Sequence, residues 1–358
     1  MHGTQRQRSH RRTAVAGALG LSASLVLAAC GGGEEGSSDQ AGDTKVPVVA
    51  FTTDVQPTYV NTRYGPLVEG PKLNLAYTPE DLKVFESHTV ATQAAMSGEA
   101  QIVGGSFIST VLLQQTGQDM KVFCPFNNSD TLALVGRNGV DSVDDLFNDS
   151  VRVATDSPGG AGAMVMDAML EAKQAPGLLT DMPNTTILES SSLRANAFAA
   201  GQVDAAVIHL RQFDAAKAQA PDGVVLATLA DDVPDMIMQA FSAPSSWLGE
   251  NKDAAVNFCA SVITANRVLK GSFESFNEAV QQYVPEPPDA AQLESIYAVI
   301  ERGNVWPEDG GISPEAVGYM TDLALRSGVL TEPADNDAVV DYEILDAAVA
   351  KADEAPAS

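Results

Sequence analysis

The chain has 358 residues, and its 47 acidic residues outnumber its 21 basic residues to give a net charge of −26 at pH 7. This length suits two domains of ordinary size, each with a hydrophobic core of its own. Beyond the first 12 residues there is no Lys/Arg cluster, which excludes nucleic acid and anionic lipid surfaces as partners, because phosphate groups are bound by such clusters. The 4 histidines, two of them in the first ten residues, offer no metal-ligand spacing. We therefore expect neither a metal nor another cofactor.

The amino terminus has the pattern of an export signal. Four arginines between positions 6 and 12 precede an uncharged run over residues 13–29, which is too short for a spanning helix. The following Leu-Ala-Ala-Cys-Gly, with Cys30 as its cysteine, resembles a bacterial lipobox. This resemblance implies that residues 1–29 are removed and that Cys30 is lipidated on the outer face of the cytoplasmic membrane. We favour Sec export over the twin-arginine route, because Thr13 and Ala14 stand where larger apolar residues are expected.

Residues 30–44 are rich in Gly, Ser and acids and have no large apolar side chain. Such a segment cannot offset the entropy of ordering, so it is typical of a flexible tether. After it, strands and helices alternate. We predict strands at 45–52, 82–87, 102–104, 120–126, 131–136, 151–155, 185–188, 205–209 and 224–229, with a further crossing at 236–243. Helices are predicted at 59–67, 143–147, 162–173, 193–200, 212–219, 252–270, 273–283, 289–302 and 313–326, and after Ser106.

One α/β unit occurs twice. Residues 89–105 and 193–210 each contain a helix of small residues, a glycine at its end (Gly98 and Gly201), and a short apolar strand. Glycine suits the position after a helix because the backbone there is usually left-handed. The strands are apolar on both faces, as in a parallel sheet covered by helices. Two such units predict two similar lobes with a cleft between them.

Four segments carry a resemblance to a known family: AAGQVDAAVI, MSGEAQIVGG, MKVFCPFNNSDTLALVGR and DSVDDLFNDSVRVATDSPGGAGA. They resemble the substrate-binding components of bacterial ABC importers, in the type II group that handles sulfonates, taurine, nitrate and thiamine-precursor pyrimidines. The resemblance implies an α/β, two-lobed type II periplasmic-binding-protein fold, in which each lobe is a mostly parallel sheet flanked by helices and two hinge crossings join the lobes. Lobe 1 would comprise residues 45–129 plus 241–346, lobe 2 residues 130–240, and a flexible tail residues 347–358.

Candidate ligand-binding residues follow from the rule that ligands bind beyond the carboxyl ends of strands in open α/β sheets. The glycine-rich loop from Ser157 to Gly162 is the most informative of these, because glycines at a helix start let backbone N–H groups approach a ligand. A plain tight turn is the alternative for this loop. The predicted set is Thr53, Asp54, Gln56, His88, Ser106, Asn128, Ser157, Gly160, Ala161, Gly162, His209 and Arg211.

Several roles stay open at this stage. His209 either donates to an anionic ligand or is a satisfied half-buried histidine, and Arg211 either pairs with an anion or is a solvated helix-start residue. The Ser106 hydroxyl caps a helix, contacts ligand, or does both. Asp54, His88 and Ser106 do not suggest a catalytic triad, because no Gly-x-Ser-x-Gly elbow is present. Cys124 and Cys259 either form a disulfide or remain reduced in the core.

These patterns predict a monomeric, lipid-anchored binding protein rather than an enzyme. It would capture a small organic anion, a sulfonate or carboxylate, and deliver it to the permease and ATPase subunits of an importer. The alternative ligand is a pyrimidine or another heteroaromatic nutrient. An exported enzyme or a ligand-sensing ectodomain on the same fold is the alternative from a different class.

Overall fold

A computed structural model describes residues 46–354, apart from residues 53, 86–87, 158–159 and 234–235. The side chains of His88 and Thr89 are also outside this description. The predicted signal, the tether, Cys30, Thr53 and the last four residues therefore lie outside the described residues. The described chain from residue 46 onward belongs to one compact unit.

Ten strands are seen in the described chain. They are β1 (Val49–Phe51), β2 (Leu82–Val84), β3 (Ile102–Ser106), β4 (Met120–Asn127), β5 (Leu132–Gly136), β6 (Val153–Thr155), β7 (Thr185–Ile187), β8 (Ala205–His209), β9 (Val224–Thr228) and β10 (Gln239–Pro244). The central ones, such as β1, β5 and β8, are short and largely buried, as expected for strands covered by helices.

The strands form two five-stranded sheets with the same plan. The first sheet has the order β2-β1-β3-β10-β4, and the second has the order β7-β6-β8-β5-β9. Strand β10 is antiparallel to its neighbours β3 and β4, and β5 is antiparallel to β8 and β9. In each sheet, four strands therefore point one way and one strand points the other way.

This topology brings one edge of each sheet together. The chain leaves the carboxyl end of β4 and enters β5 after only residues 128–131, and it returns from the end of β9 to the start of β10 through residues 229–238. Both links join the edge where four strands end in one sheet to the corresponding edge of the other. The predicted α/β class, with two mostly parallel sheets and two crossings, is confirmed.

The helices begin where capping residues precede apolar repeats; Ser190, Ser272, Asp289 and Ser313 each accept a backbone hydrogen bond at a helix start. They are α1 (Asn61–Tyr64), α2 (His88–Met96), α3 (Phe107–Gln115), α4 (Ala161–Ala172), α5 (Ser191–Ala199), α6 (Leu210–Ala216), α7 (Leu229–Asp232), α8 (Ser245–Glu250), α9 (Lys252–Gly271), α10 (Phe273–Tyr283), α11 (Ala290–Arg302), α12 (Pro314–Arg326), α13 (Asn336–Val339) and α14 (Tyr342–Glu354). Within the described residues none is both long and apolar enough to cross a membrane.

One local prediction was wrong. Residues 347–354 were expected to be a flexible tail, but they complete α14, which packs on α9 and buries Ala348 and Ala352. Alanine gives α14 high helix propensity and a small side chain for close packing, a signal that composition alone obscured. The helix predicted at 59–67 is α1 followed by a π turn over Gly65–Glu69. Pro66 lacks a backbone donor, and Gly65 lies so close to Ser261 that a Cβ would be 3.0 Å from its carbonyl oxygen.

The first sheet is held by an aromatic core and a disulfide. Phe241 of β10 packs edge-on against Phe51 and Phe258, with ring centroids 5.8 and 4.8 Å away. Beside them Cys124 of β4 and Cys259 of α9 form a disulfide, which resolves the alternative left open by the sequence. These contacts fix α9 and β4 together beneath the edge that faces the second sheet.

Candidate functional site

The candidate site lies where the facing edges of the two sheets meet. Gln239, the first residue of β10, is in register with Ser106 at the end of β3 and with Asn127 at the end of β4. In the second sheet, His209 at the end of β8 is opposite Leu132 at the start of β5. Because both links between the sheets begin or end beside these residues, polar side chains from both sheets converge here.

A chain of hydrogen bonds connects the two sheets through the first link. The Tyr59 hydroxyl donates to Oδ2 of Asp130 at 3.2 Å, and Oδ1 of Asp130 accepts from the backbone N–H of Thr131 at 2.7 Å. The Thr131 hydroxyl lies 3.4 Å from Asp130 Oδ1 and 3.0 Å from Nδ1 of His209. Asp130 is buried, and a buried carboxylate is stable only when it is paired in this way. The network therefore holds Tyr59 and His209 in fixed positions on either side of the link.

His209 has one ring nitrogen committed to this network. Its Nδ1 contacts the Thr131 hydroxyl and lies 3.8 Å from Asp130 Oδ1. Burial lowers the pKa of His209, the Asp130 carboxylate raises it, and the guanidinium groups of Arg211 and Arg194 lower it further. The neutral imidazole is therefore favoured at neutral pH, with Nε2 left for another partner.

The same geometry does not support triad chemistry. In Ser–His–Asp catalysis, the nucleophile and the acid bind opposite nitrogens of the imidazole. Here Thr131 and Asp130 both approach Nδ1 of His209. The cluster is arranged to orient the imidazole and not to activate the Thr131 hydroxyl.

Tyr59 is the member of this hydrogen-bonded cluster that lies on the first sheet's side. Burial and the Asp130 carboxylate raise the pKa of Tyr59 well above its ordinary value, while hydrogen bonds from Gln56 and Gln239 to its hydroxyl lower it. Tyr59 therefore stays protonated at physiological pH. Gln56, predicted from the sequence, is thus brought into the cluster together with Gln239, which was not predicted.

Ser106 stands at the N-cap of α3, but its hydroxyl makes no capping hydrogen bond within the described chain. Ser106 is half-buried and is in register with Gln239. Of the two roles considered for Ser106, the structure leaves the hydroxyl open for a ligand.

The glycine-rich loop has an internal partner that the sequence did not reveal. The two carboxylate oxygens of Asp156 accept from the backbone N–H groups of Gly162 and Ala163 at 2.8 and 2.6 Å. A Cβ on Gly160 would lie 2.6 Å from Asp156 Cγ, and one on Gly162 would lie 2.9 Å from its Oδ2. The glycines make room for the chain's own carboxylate, which already occupies the positive end of α4.

The remaining second-sheet residues of this loop region are also engaged. The Ser157 hydroxyl donates to Glu189 Oε2 at 3.2 Å. Arg194 is buried beneath the loop and donates to the backbone carbonyl groups of Val207 and Leu188 at 2.7 and 2.8 Å. The direct role predicted for Ser157, Gly160, Ala161 and Gly162 therefore requires a ligand to compete with, or fit around, these contacts.

Arg211 is exposed at the start of α6 and borders a cavity of about 310 Å³ between α6 and α11. Thr131, Asp214 and Gln292 also line this cavity. Its volume is at the lower end for small-molecule sites. The cavity reaches the His209 network through Thr131.

Asn128 is drawn away from the facing edges. Its backbone N–H donates to the carbonyl of Val305 at 3.0 Å, and its Nδ2 donates to the carbonyl of Gly311 at 2.6 Å. A ligand contact at Asn128 would therefore have to involve its Oδ1, which is buried without a hydrogen-bond partner in the described structure. The roles predicted for Thr53 and the His88 side chain fall on positions outside the described residues.

Arg63 of α1 is a charged residue at this edge that sequence reasoning missed. Its guanidinium carbon lies 4.0 Å from the ring centroid of Phe51, the last residue of β1. Burial lowers the pKa of Arg63 to about 10, and the carboxylate of exposed Asp54 acts in the opposite direction. A signal was present, because Arg63 is the sole charged residue between positions 55 and 67. Predicted Asp54 and unpredicted Arg63 are thus neighbours.

The described residues contain no group of three or more His, Cys, Asp and Glu side chains arranged to hold a metal ion. The site contains neutral donors and acceptors beside the guanidinium groups of Arg63 and Arg211. The neutral groups belong to Tyr59, Ser106, Gln239 and His209. Such a set suits recognition of a polar or anionic solute.

No family model and no curated protein matches the chain. Solved structures with a similar fold include the alkanesulfonate-binding protein from Xanthomonas axonopodis pv. citri bound to MOPS, with 18% identity, a TM-score of 0.60, and coverage of 82% of this chain and 99% of that one. The periplasmic aliphatic sulphonate binding protein from Escherichia coli is similar, at 16% identity and a TM-score of 0.62 over 82% and 91% of the two chains. The periplasmic nitrate-binding protein from Synechocystis PCC 6803 matches at 15% identity and a TM-score of 0.62 over 88% and 90%. The chain therefore has the type II periplasmic-binding-protein fold predicted from its sequence.

Proposed function

We propose that this protein is an extracytoplasmic solute-binding component that captures a small organic anion, of sulfonate or carboxylate type, between its two sheets. The observation that carries the proposal is the hydrogen-bonded chain from Tyr59 through Asp130 and Thr131 to His209. It lines the edge where both links cross and brings side chains of both sheets to one place. A solute seated there would contact both halves of the molecule.

The names of the similar structures support this ligand class. Two are described as binding sulfonates and one as binding nitrate. In this chain, the open Ser106 hydroxyl and the nearby guanidinium groups supply donors for an oxyanion, and Nε2 of His209 is left for a further hydrogen bond.

Capture would proceed by a population shift between open and closed arrangements. A ligand favours the closed state only to the extent that it makes additional contacts there. The two links, at residues 128–131 and 229–238, are the segments about which the sheets would move. Asp130 lies within the first link, so closure would act directly on the His209 network.

The cellular setting is part of the same proposal. A lipid on Cys30 and a tether over residues 30–44 would hold the protein outside the cytoplasmic membrane, where its partners are the permease and ATPase of an ABC importer. The protein would act as a monomer and not as an enzyme. The lobes predicted at 45–129 plus 241–346 and 130–240 would assign one sheet to each, apart from Gln239 and Ala240 of β10, which pair with β3 and β4 of the first sheet.

The test is a thermal-shift screen of the intact protein against sulfonates, carboxylates, nitrate, pyrimidines and amino acids. A ligand present at about a thousand times its Kd adds ~4 kcal/mol of stability and should raise the midpoint by several degrees. Sulfonates or carboxylates are the expected hits. A flat screen, with no small molecule released on denaturing the purified protein, would argue against a solute-binding role.

A further inference from the structure

Arg63 is placed at the carboxyl end of the first sheet's parallel strands. Phe51 ends β1, and its register partners are Val84 at the end of β2 and Gly104 in β3. The Arg63 guanidinium lies over the Phe51 ring at 4.0 Å. A fixed positive charge therefore sits at the edge where polar groups of both sheets converge.

Arg63 lacks the acceptors that other half-buried or buried arginines have. Its Nη1 is buried without a hydrogen-bond partner, and no carboxylate among the described residues lies within 4.0 Å of the guanidinium. By contrast, Arg194 donates to three backbone carbonyls. Arg152 binds both oxygens of Asp204.

The Phe51 ring does not replace the missing acceptors. Stacking attracts the cation through the ring face but leaves the buried Nη1 without an oxygen partner in the described structure. Asp54 is the acid whose field reaches Arg63, but its side chain is exposed and forms no ion pair in the described structure. A buried cation without a counter-ion is unfavourable unless another group supplies one.

We propose that Arg63 is the anchor for the oxyanion head group of the solute, a carboxylate or sulfonate bound by the guanidinium while Phe51 holds its plane. This rests on the proposed function and deepens it by naming the residue that selects anions. The guanidinium presents two parallel donors that match two oxygens of one oxyanion, which an ammonium group cannot do.

Arg137 provides a matched control. Its guanidinium also lies near an aromatic ring, 5.8 Å from the centroid of Phe198. However, its Nη1 donates to the carbonyl groups of Phe198 and Ala199 at 2.6 and 3.1 Å. It follows the carboxyl end of antiparallel β5, which is the edge of the second sheet away from the site. Replacing it removes a paired structural arginine.

The experiment compares the intact wild-type protein with Arg63→Gln, Arg63→Lys and Arg137→Gln. Binding of ethanesulfonate, benzenesulfonate, propionate and benzoate is measured by titration calorimetry, and the stability of each unliganded protein is measured by chemical unfolding. We expect Arg63→Gln to weaken the best-bound anion on the order of 10- to 100-fold while leaving the unliganded protein at least as stable. The anion affinity of Arg63→Lys should lie between those of the wild type and Arg63→Gln, because lysine keeps the positive charge but lacks the paired donors of the guanidinium group. Arg137→Gln should destabilise the protein and leave affinity unchanged.

Two results overturn the assignment. Unchanged anion affinity in Arg63→Gln would show that the head group binds elsewhere. If Arg63→Gln does not fold, the Lys variant decides: unchanged affinity in Arg63→Lys would show that the paired guanidinium donors do not recognise the anion. A wild-type protein that binds neutral or cationic solutes but none of the four anions would also overturn it while leaving the solute-binding function intact. Failure of the wild type to bind any solute would overturn both.

Discussion

Breaking the Cys124–Cys259 bond should lower the free energy of unfolding by more than the removal of any single surface contact. The two cysteines are fully buried and 135 residues apart in the sequence. The bond therefore closes a loop that contains the whole second sheet, from β5 to β9. Without it, the unfolded chain gains conformational freedom while the folded chain keeps its packing around Phe258 and Phe241.

The magnitude follows from the length of the closed loop. The chain-entropy relation for a loop of about 135 residues gives a loss of about 17 cal/mol/K in the unfolded state, or ~5 kcal/mol at 25 °C. Measured values often fall below this limit, so we expect a loss of about 2–5 kcal/mol. Residual structure in the unfolded chain reduces the gain further, because it already restricts the same residues.

The assay is guanidinium unfolding of the oxidised protein and of the same protein reduced with a thiol-free phosphine. Reduction breaks the S–S bond and removes no heavy atom from either side chain. The comparison of oxidised and reduced protein therefore has no cavity term. The Cys124→Ala/Cys259→Ala variant serves as a check that does not depend on reductant access, and mass spectrometry reports the oxidation state. Equal midpoints and equal slopes for oxidised and reduced protein would refute the loop-entropy reasoning.

Two further predictions concern the second sheet. Asp156→Ala removes the acceptor for two backbone N–H groups of α4, so chemical unfolding should show a free energy of unfolding lower by about 1–2 kcal/mol. Titration should show no loss of anion affinity. Undiminished stability would contradict the capping role of Asp156. Because burial lowers the pKa of His209 below its ordinary 6.5, its contribution to stability is present above about pH 6.5 and is lost as the pH falls through the lower folded-state value. Unfolding midpoints between about pH 8 and pH 5 should therefore fall less steeply in His209→Gln than in the wild type, and parallel curves would exclude His209 as the cause.

The sequence was a good guide to elements and a weaker guide to how they assemble. β8 was predicted over residues 205–209, as observed, because a short apolar run bounded by a glycine turn and a polar residue is a purely local signal. The antiparallel placement of β5 and β10 was not predicted residue by residue. It depends on pairing between segments that are distant in the chain, such as Gln239 with Ser106, and no local pattern encodes that choice.

The site shows the same division. Ser106, Gln56 and His209 were predicted because they come after apolar strands, and the edge rule needs only that order. Asp130, Thr131 and Gln239 were not found, because their roles arise from the two links passing side by side. Asp156 was passed over in favour of the glycines that follow it, although the spacing of an acid five or six residues before a helix start could have suggested a cap.

The positive end of α4 and the Arg63 guanidinium differ in how they are paired, and this difference bears on how a solute would be captured. On the second sheet, the positive end of α4 is already occupied by the buried carboxylate of Asp156. On the first sheet, Arg63 has a buried nitrogen with no partner in the described structure. In the proposed mechanism an anion gains more by binding first at Arg63, where a counter-ion is missing, than at the start of α4, where it would meet a carboxylate. In the proposed mechanism the second sheet then contributes His209, a neutral group at neutral pH, so that closure adds hydrogen bonds without a further charge to desolvate.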